Sequence, residues 1–133
     1  MKNSTAISKR PLAPHVSIYR WPITMMGSIA HRISGGALYC GTLFLAIWLV
    51  SIAYSQEIFC VVNAFYSSVF GRIILFTYTF ALVYHLVSGV RYLFWDIRTT
   101  LLEIHYATKM IRVTVFISII LTLFIWVVAY MLL

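Results

Sequence analysis

Charge is what this sequence has least of, and acid above all. Its 133 residues include 3 Asp or Glu against 10 Lys or Arg, and charged residues make up 10% of the chain. A water-soluble domain carries about 25%, so an ordinary soluble globule is excluded. With 3 prolines and 6 glycines, a collagenous or linker-like chain is excluded too. The two cysteines, Cys40 and Cys60, sit in apolar surroundings with no CxxC spacing and no neighbouring histidine. They read as buried or lipid-facing thiols. No CxxCH motif is present, so any haem would be held without covalent attachment. No A-x-A-like cleavage site ends the first apolar segment, and the few residues before Pro11 make a short stretch for a mitochondrial presequence.

What fills the chain instead is apolar. Hydrophobic residues reach 62%, and three stretches contain no Asp, Glu, Lys or Arg: 33–56, 73–90 and 113–133. Each meets the length of about 18 residues that marks a bilayer-spanning helix. The expected organisation is a cytoplasmic N-terminal segment and helix entry over 1–28, spans at 29–52, 69–94 and 112–132, an outer connection at 53–68 and an inner connection at 95–111. The segment from Ile58 to Phe70, broken by Asn63, Ser67 and Ser68, is expected to lie along the interface or to extend the second helix outward. Arg10-Pro11-Leu12-Ala13-Pro14-His15 is too rich in proline for a helix. Trp21-Pro22 reads as a helix entry, with Tyr19 and Trp21 as interfacial aromatics. The fold class is therefore an all-α membrane protein of three transmembrane helices.

The basic residues set the orientation. Lys2, Lys9, Arg10, Arg20 and Arg32 precede or open the first span with no acid among them. The first connection carries Glu57, with Arg72 at its end, whereas the second carries Arg91, Arg98, Lys109 and Arg112 against Asp96 and Glu103. The positive-inside rule places the N-terminus and second connection inside and the C-terminus outside. The net charge of +7 then belongs to membrane topology. No polar basic domain remains for nucleic acid once the spans are removed.

Two constellations carry chemistry. Ser28-Ile29-Ala30-His31-Arg32-Ile33-Ser34-Gly35 opens the first span, with Ser28 and Arg32 one turn apart on a shared face. Six of the residues from Ser28 to Phe44 are Gly, Ser or Cys, which favours close helix approach. A small, cationic pocket there suits a headgroup or a quinone oxygen, although Arg32 also serves as a topology marker. The second is His85-Leu86-Val87-Ser88-Gly89-Val90-Arg91-Tyr92-Leu93-Phe94-Trp95-Asp96. At about 1.5 Å per residue, His85 stands ~20 Å from Arg72 and ~16 Å from Asp96, deep in the membrane, where a titratable group is costly. Neutral imidazole is an axial ligand for haem iron, and Gly89 leaves room for a flat macrocycle beside it. The alternative is a histidine hydrogen-bonded to a neighbouring helix. His31 is expected near the inner interface, so a second axial histidine would come from a partner chain. Asp96, at the inner end of the second span, could relay protons, and pairing with Arg91 or Arg98 is the favoured expectation. The third helix reads as scaffold.

Taken in order, these segments resemble the membrane-anchor cytochrome b subunits of succinate dehydrogenase, respiratory complex II. The match runs through Arg10 to His15 with Ile18-Tyr19, then Ser28, His31-Arg32 and Ser34-Gly35, and then His85, Gly89, Arg91 and Asp96, over roughly the first 100 residues. The resemblance implies that Ser28 and Arg32 line a ubiquinone site. It implies that His85 is one axial ligand of haem b, whose second ligand comes from the small membrane-anchor subunit, and that His31 and Arg32 lie near the haem propionates. It implies an iron–sulfur subunit and a flavoprotein subunit on the inner face, delivering electrons from succinate, with the catalytic flavin on another chain. The expected location is a bacterial inner membrane, a mitochondrial one being the lesser expectation. A structural assembly subunit without a redox cofactor, or a quinol:fumarate reductase anchor, are the competing readings.

Overall fold

The computed structural model describes residues 20–132. The expectations attached to Arg10–His15, Ile18 and Tyr19 fall outside these residues. Four helices follow one another: α1 (Ile23–Tyr54), α2 (Gln56–Ser67), α3 (Val69–Ile97) and, after a 3₁₀ turn at Thr99–Leu102, α4 (Ile104–Leu132). Three of them, α1, α3 and α4, are long and apolar enough to cross a membrane. At 29 residues or more each, they reach about 43 Å, beyond the ~30 Å of a hydrocarbon core. Among the described residues no strand occurs.

Each helix boundary has a local cause. Pro22 caps α1, its fixed φ of −67° suiting the entry. Helix α1 therefore encloses the apolar stretch 29–52 and begins a turn and a half before it, because Arg32 ends the apolar run without ending the helix. Ser55 caps α2, its hydroxyl accepting from the Ile58 N–H at 3.3 Å, with Glu57 in the favoured first turn. Ser68 does the same for α3, accepting from the Gly71 N–H at 3.1 Å. A side chain at Gly71 would strike the Phe65 carbonyl and the Tyr66 backbone, so glycine is what permits the sharp α2–α3 corner. The segment 58–70 is thus a separate short helix plus the first residues of α3. The connection between the last two spans is shorter than 95–111, since α3 runs to Ile97 and α4 starts at Ile104.

Packing is inverted relative to a soluble bundle. Most of the buried residues are small or polar, among them Ser34, Ser51, Ser88, Thr114, Ser118 and Thr122 with Ala81 and Ala107, beside the larger Val83, Tyr84, Arg91 and Ile111. Leu, Ile, Val and Phe residues project outward along all three spans. Lipid tails are as apolar as leucine, so helices associate through close contact and hydrogen bonds, which small residues allow. Gly27 lets the Ile111 side chain of α4 approach α1, and Gly41 lies against the Tyr78 ring of α3. Cross-links between helices include Tyr84 Oη donating to the Gly27 carbonyl at 3.3 Å, Tyr66 Oη to the Phe44 carbonyl at 2.8 Å, and Trp95 Nε1 reaching Met110 Sδ at 3.3 Å. Cys40 and Cys60 are both exposed free thiols on the outside of this bundle.

Candidate functional site at the α1–α3 seam

The face that α1 turns toward α3 includes positions 27, 31, 34, 35 and 41, the first four linked by steps of three and four residues. His31, Ser34 and Gly35 meet His85 of α3 there. The ring of His31 stacks on that of His85, with centroids 4.1 Å apart and planes within 12°. His85 Nδ1 lies 3.1 Å from Ser34 Oγ and 3.3 Å from the His31 carbonyl oxygen. Ser34 Oγ itself donates to that same carbonyl at 2.7 Å.

These contacts fix the tautomer of a neutral imidazole. The carbonyl can only accept, and the Ser34 hydrogen is already committed to it, so the remaining Ser34 lone pair also accepts. Nδ1 of His85 must therefore carry the proton and donate to both oxygens. Nε2 is left as a bare lone pair, which is the form that binds a metal. Gly35 makes the arrangement possible, because a Cβ there would come within 3.1 Å of His85 Cε1. Beside Gly89 the space is open, with nothing within 4 Å of an added Cβ.

The residues fit a haem held through one imidazole of this chain. Among the described residues no group of three His, Cys, Asp or Glu could hold a bare metal ion, whereas a macrocycle brings four of its own ligands and asks the chain for an axial one. His31 stacks on one face of the His85 ring. Rings stacked in this way cannot grip one iron from opposite sides.

Two sequence expectations change at this seam. His31 is not apart from His85: α1 begins at Ile23, His31 stands two turns into it, and its ring stacks on that of His85. Arg91 does not pair with Asp96. Its guanidinium turns back along α3, and Nη2 donates to Ser88 Oγ at 2.9 Å, while Asp96 is exposed. Gly35, more than Gly89, is the glycine against the His85 ring. Ser28 and Arg32, the expected quinone ligands, stand on α1 before the stacked pair, Ser28 half-buried and Arg32 exposed. Sequence reasoning passed over Ser34 as a hydrogen-bond partner and Arg91 as a buried cation. The signal for Ser34 was its place one turn after His31 on the small-residue face.

A concavity lies toward the other end of the bundle, a cavity of about 610 Å³ between α1, α2, α3 and α4. It is lined by Trp48, Tyr66, Tyr78, Trp126 and Tyr130, with Arg72 its one charged residue. No histidine or carboxylate lines it, so the chemistry-bearing groups belong to the α1–α3 seam.

Comparison with known proteins identifies the family. Residues 6–125 match the family model described as succinate dehydrogenase/fumarate reductase transmembrane subunit. The succinate dehydrogenase cytochrome b556 subunit of Rickettsia felis is 36% identical over 124 residues, covering 90% of this chain and 93% of the relative. That of Paracoccus denitrificans is 41% identical over 87 residues, 65% of this chain and 67% of the relative. The mitochondrial cytochrome b560 subunit of Bos taurus is 38% identical over 98 residues, 72% of this chain and 57% of the relative. The bacterial relatives and the three apolar helices agree with a multi-pass protein of a bacterial inner membrane. The chain belongs to the succinate dehydrogenase/fumarate reductase transmembrane subunit family, among the cytochrome b membrane anchors of succinate dehydrogenase.

Proposed function

We propose that this anchor passes electrons from succinate to ubiquinone, with haem b held by His85 and ubiquinone held by Ser28 and Arg32. The observation that carries the reading is the His85 imidazole, pinned through Nδ1 by Ser34 and the His31 carbonyl with Nε2 left free. When bound, haem b supplies a one-electron site within the membrane. His85 would be its axial ligand from this chain, and Ser34 and the His31 carbonyl raise the basicity of that ligand and hold its ring orientation. Since His31 stacks on the same side, the second axial ligand is assigned to a histidine of the small anchor subunit. His31 and Arg32 are assigned to the neighbourhood of the haem propionates.

The quinone end of the proposal rests on charge. Arg32 is a fixed cation that stabilises negative charge developing on a quinone oxygen during reduction. Ser28, one turn earlier on the same face, donates a hydrogen bond to that oxygen or hands it a proton. The basic end of the bundle faces inward, so this site lies on the side where an iron–sulfur subunit and a flavoprotein subunit dock and deliver electrons from succinate. Complex purified through a tag on this chain tests the whole reading. It should contain flavoprotein and a b-type haem spectrum and reduce ubiquinone with succinate. Arg32→Leu should abolish quinone reduction while leaving succinate oxidation by an artificial acceptor nearly intact. Equal loss of both activities would mean failed assembly, and a wild-type complex free of haem would defeat the role given to His85.

A further inference from the structure

Arg91 is a buried cation with no counter-ion among the described residues. It is 3% exposed, and one of its nitrogens, Nη2, donates to Ser88 Oγ. Nε and Nη1 are buried with no hydrogen-bond partner. Two aromatic rings cover the guanidinium, whose central carbon lies 4.9 Å from the Tyr92 centroid and 4.8 Å from that of Trp95. The Tyr92 ring stands in turn 5.2 Å from the ring of His31, which stacks on His85. His31 Nδ1 is likewise buried and unpartnered. A buried ion normally comes with an opposite charge, because removing it from water costs several kcal/mol. Arginine does not escape that cost by losing its proton. Ring quadrupoles offset part of it, yet they leave the net charge in place.

We infer that Arg91 is a built-in positive charge that biases the His85 site toward its electron-rich state. The inference rests on the haem reading above and goes beyond ligation. An electron arriving at a centre held by His85 adds one negative charge to a region of low dielectric, where a permanent cation attracts it strongly. Tyr92 and Trp95 keep water from screening that attraction, and Ser88, 0% exposed, fixes the guanidinium without neutralising it. The missing counter-ion is then part of the design: a carboxylate on Nε and Nη1 would cancel the bias. Arg91 is a positioning charge here, acting on the site through space.

The test is potentiometric titration of haem in the purified complex, with dithionite as reductant and ferricyanide as oxidant. Arg91→Gln should keep its haem and lower the midpoint potential by at least the equivalent of a tenfold change in the reduction equilibrium, about 59 mV for a one-electron couple. Ser88→Asp leaves Arg91 in place and sets a carboxylate against Nη2, so it should lower the potential in the same direction. Arg98→Gln, which removes an exposed cation at the end of α3, should leave the potential unchanged. An unchanged potential in both Arg91→Gln and Ser88→Asp would overturn the inference while leaving the haem reading intact. Failure of both variants to assemble, with Arg98→Gln assembling normally, would make Arg91 a folding residue and overturn it as well. Absence of haem from the wild-type complex would remove both readings together.

Discussion

Two seams of this bundle are equally rich in small polar residues and differ in where their hydrogen bonds go. Along α4, Thr114, Ser118 and Thr122 form a buried stripe, and each hydroxyl donates to the carbonyl four residues earlier on its own helix. At the α1–α3 seam the bonds cross between helices: Ser34 and the His31 carbonyl receive His85, and Tyr84 reaches the Gly27 carbonyl. The first seam satisfies its polar groups locally and uses them as small knobs. The second spends them on holding one imidazole in one tautomer, and it keeps unpartnered atoms on His31 and Arg91. Buried polarity is thus no marker of a site in a membrane protein. Cross-helix direction and unpartnered atoms are.

The strongest way to break this contrast is His85→Ala. Removal of the imidazole proposed to hold the haem should eliminate the b-type spectrum of the purified complex, with loss of essentially all haem measured per flavin. Haem retained at the wild-type ratio would make the α1–α3 seam as structural as the α4 stripe. Next in size is Gly35→Leu. A Cβ alone would already come within 3.1 Å of His85 Cε1, and a branched side chain would push the ring off its hydrogen bonds. Overpacking of this kind costs about 1–3 kcal/mol, and it should appear as a several-fold loss of haem with the helices intact by circular dichroism.

Ser34→Ala sharpens the comparison. His85 Nδ1 keeps the His31 carbonyl as acceptor, so one of two oxygens is lost, a change on the order of 1 kcal/mol. Haem should remain bound and dissociate up to about fivefold faster in a competition assay with apo-myoglobin. A haem site indifferent to Ser34→Ala would show that the carbonyl alone orients the ring.

Much of this architecture is legible in the sequence, and the exceptions share a cause. The spans announce themselves because their interiors lack charge, and His85 stands out because it is titratable within one of them. Hydropathy failed where the chain's path depended on backbone geometry. The span expected to open at 29 belongs to a helix that starts at Ile23, so His31, expected near its end, stands two turns into it and stacks on His85. The α2–α3 corner turns on Ser68 and on the absence of a side chain at Gly71, neither of which a mixed apolar stretch reveals. Arg91 misled for a related reason: Asp96 lies five residues on, while Ser88 lies three back and shares its face. Counting along α3 finds nearby charges, but only the packed structure shows that aromatic rings, and not a carboxylate, receive the guanidinium.

The smallest effect belongs to the α4 stripe, and it tests the rule drawn from the comparison. Ser118 is fully buried and its hydroxyl donates to the Thr114 carbonyl at 2.7 Å, an oxygen that the helix ladder already serves. Ser118→Ala removes a donor without leaving an acceptor bare, and it keeps the small profile that lets α3 approach. Hydrogen bonds of side chains within membrane bundles average about 0.6 kcal/mol, so the thermal midpoint of the complex should move by little more than its measurement error. Haem content and midpoint potential should not move at all. A Ser118→Ala complex that lost haem would mean that the α4 stripe supports the His85 site through α3, and that the two seams act as one. Unchanged haem in Ser118→Ala beside loss in His85→Ala would separate a polar residue that packs a helix from one that holds a reacting group.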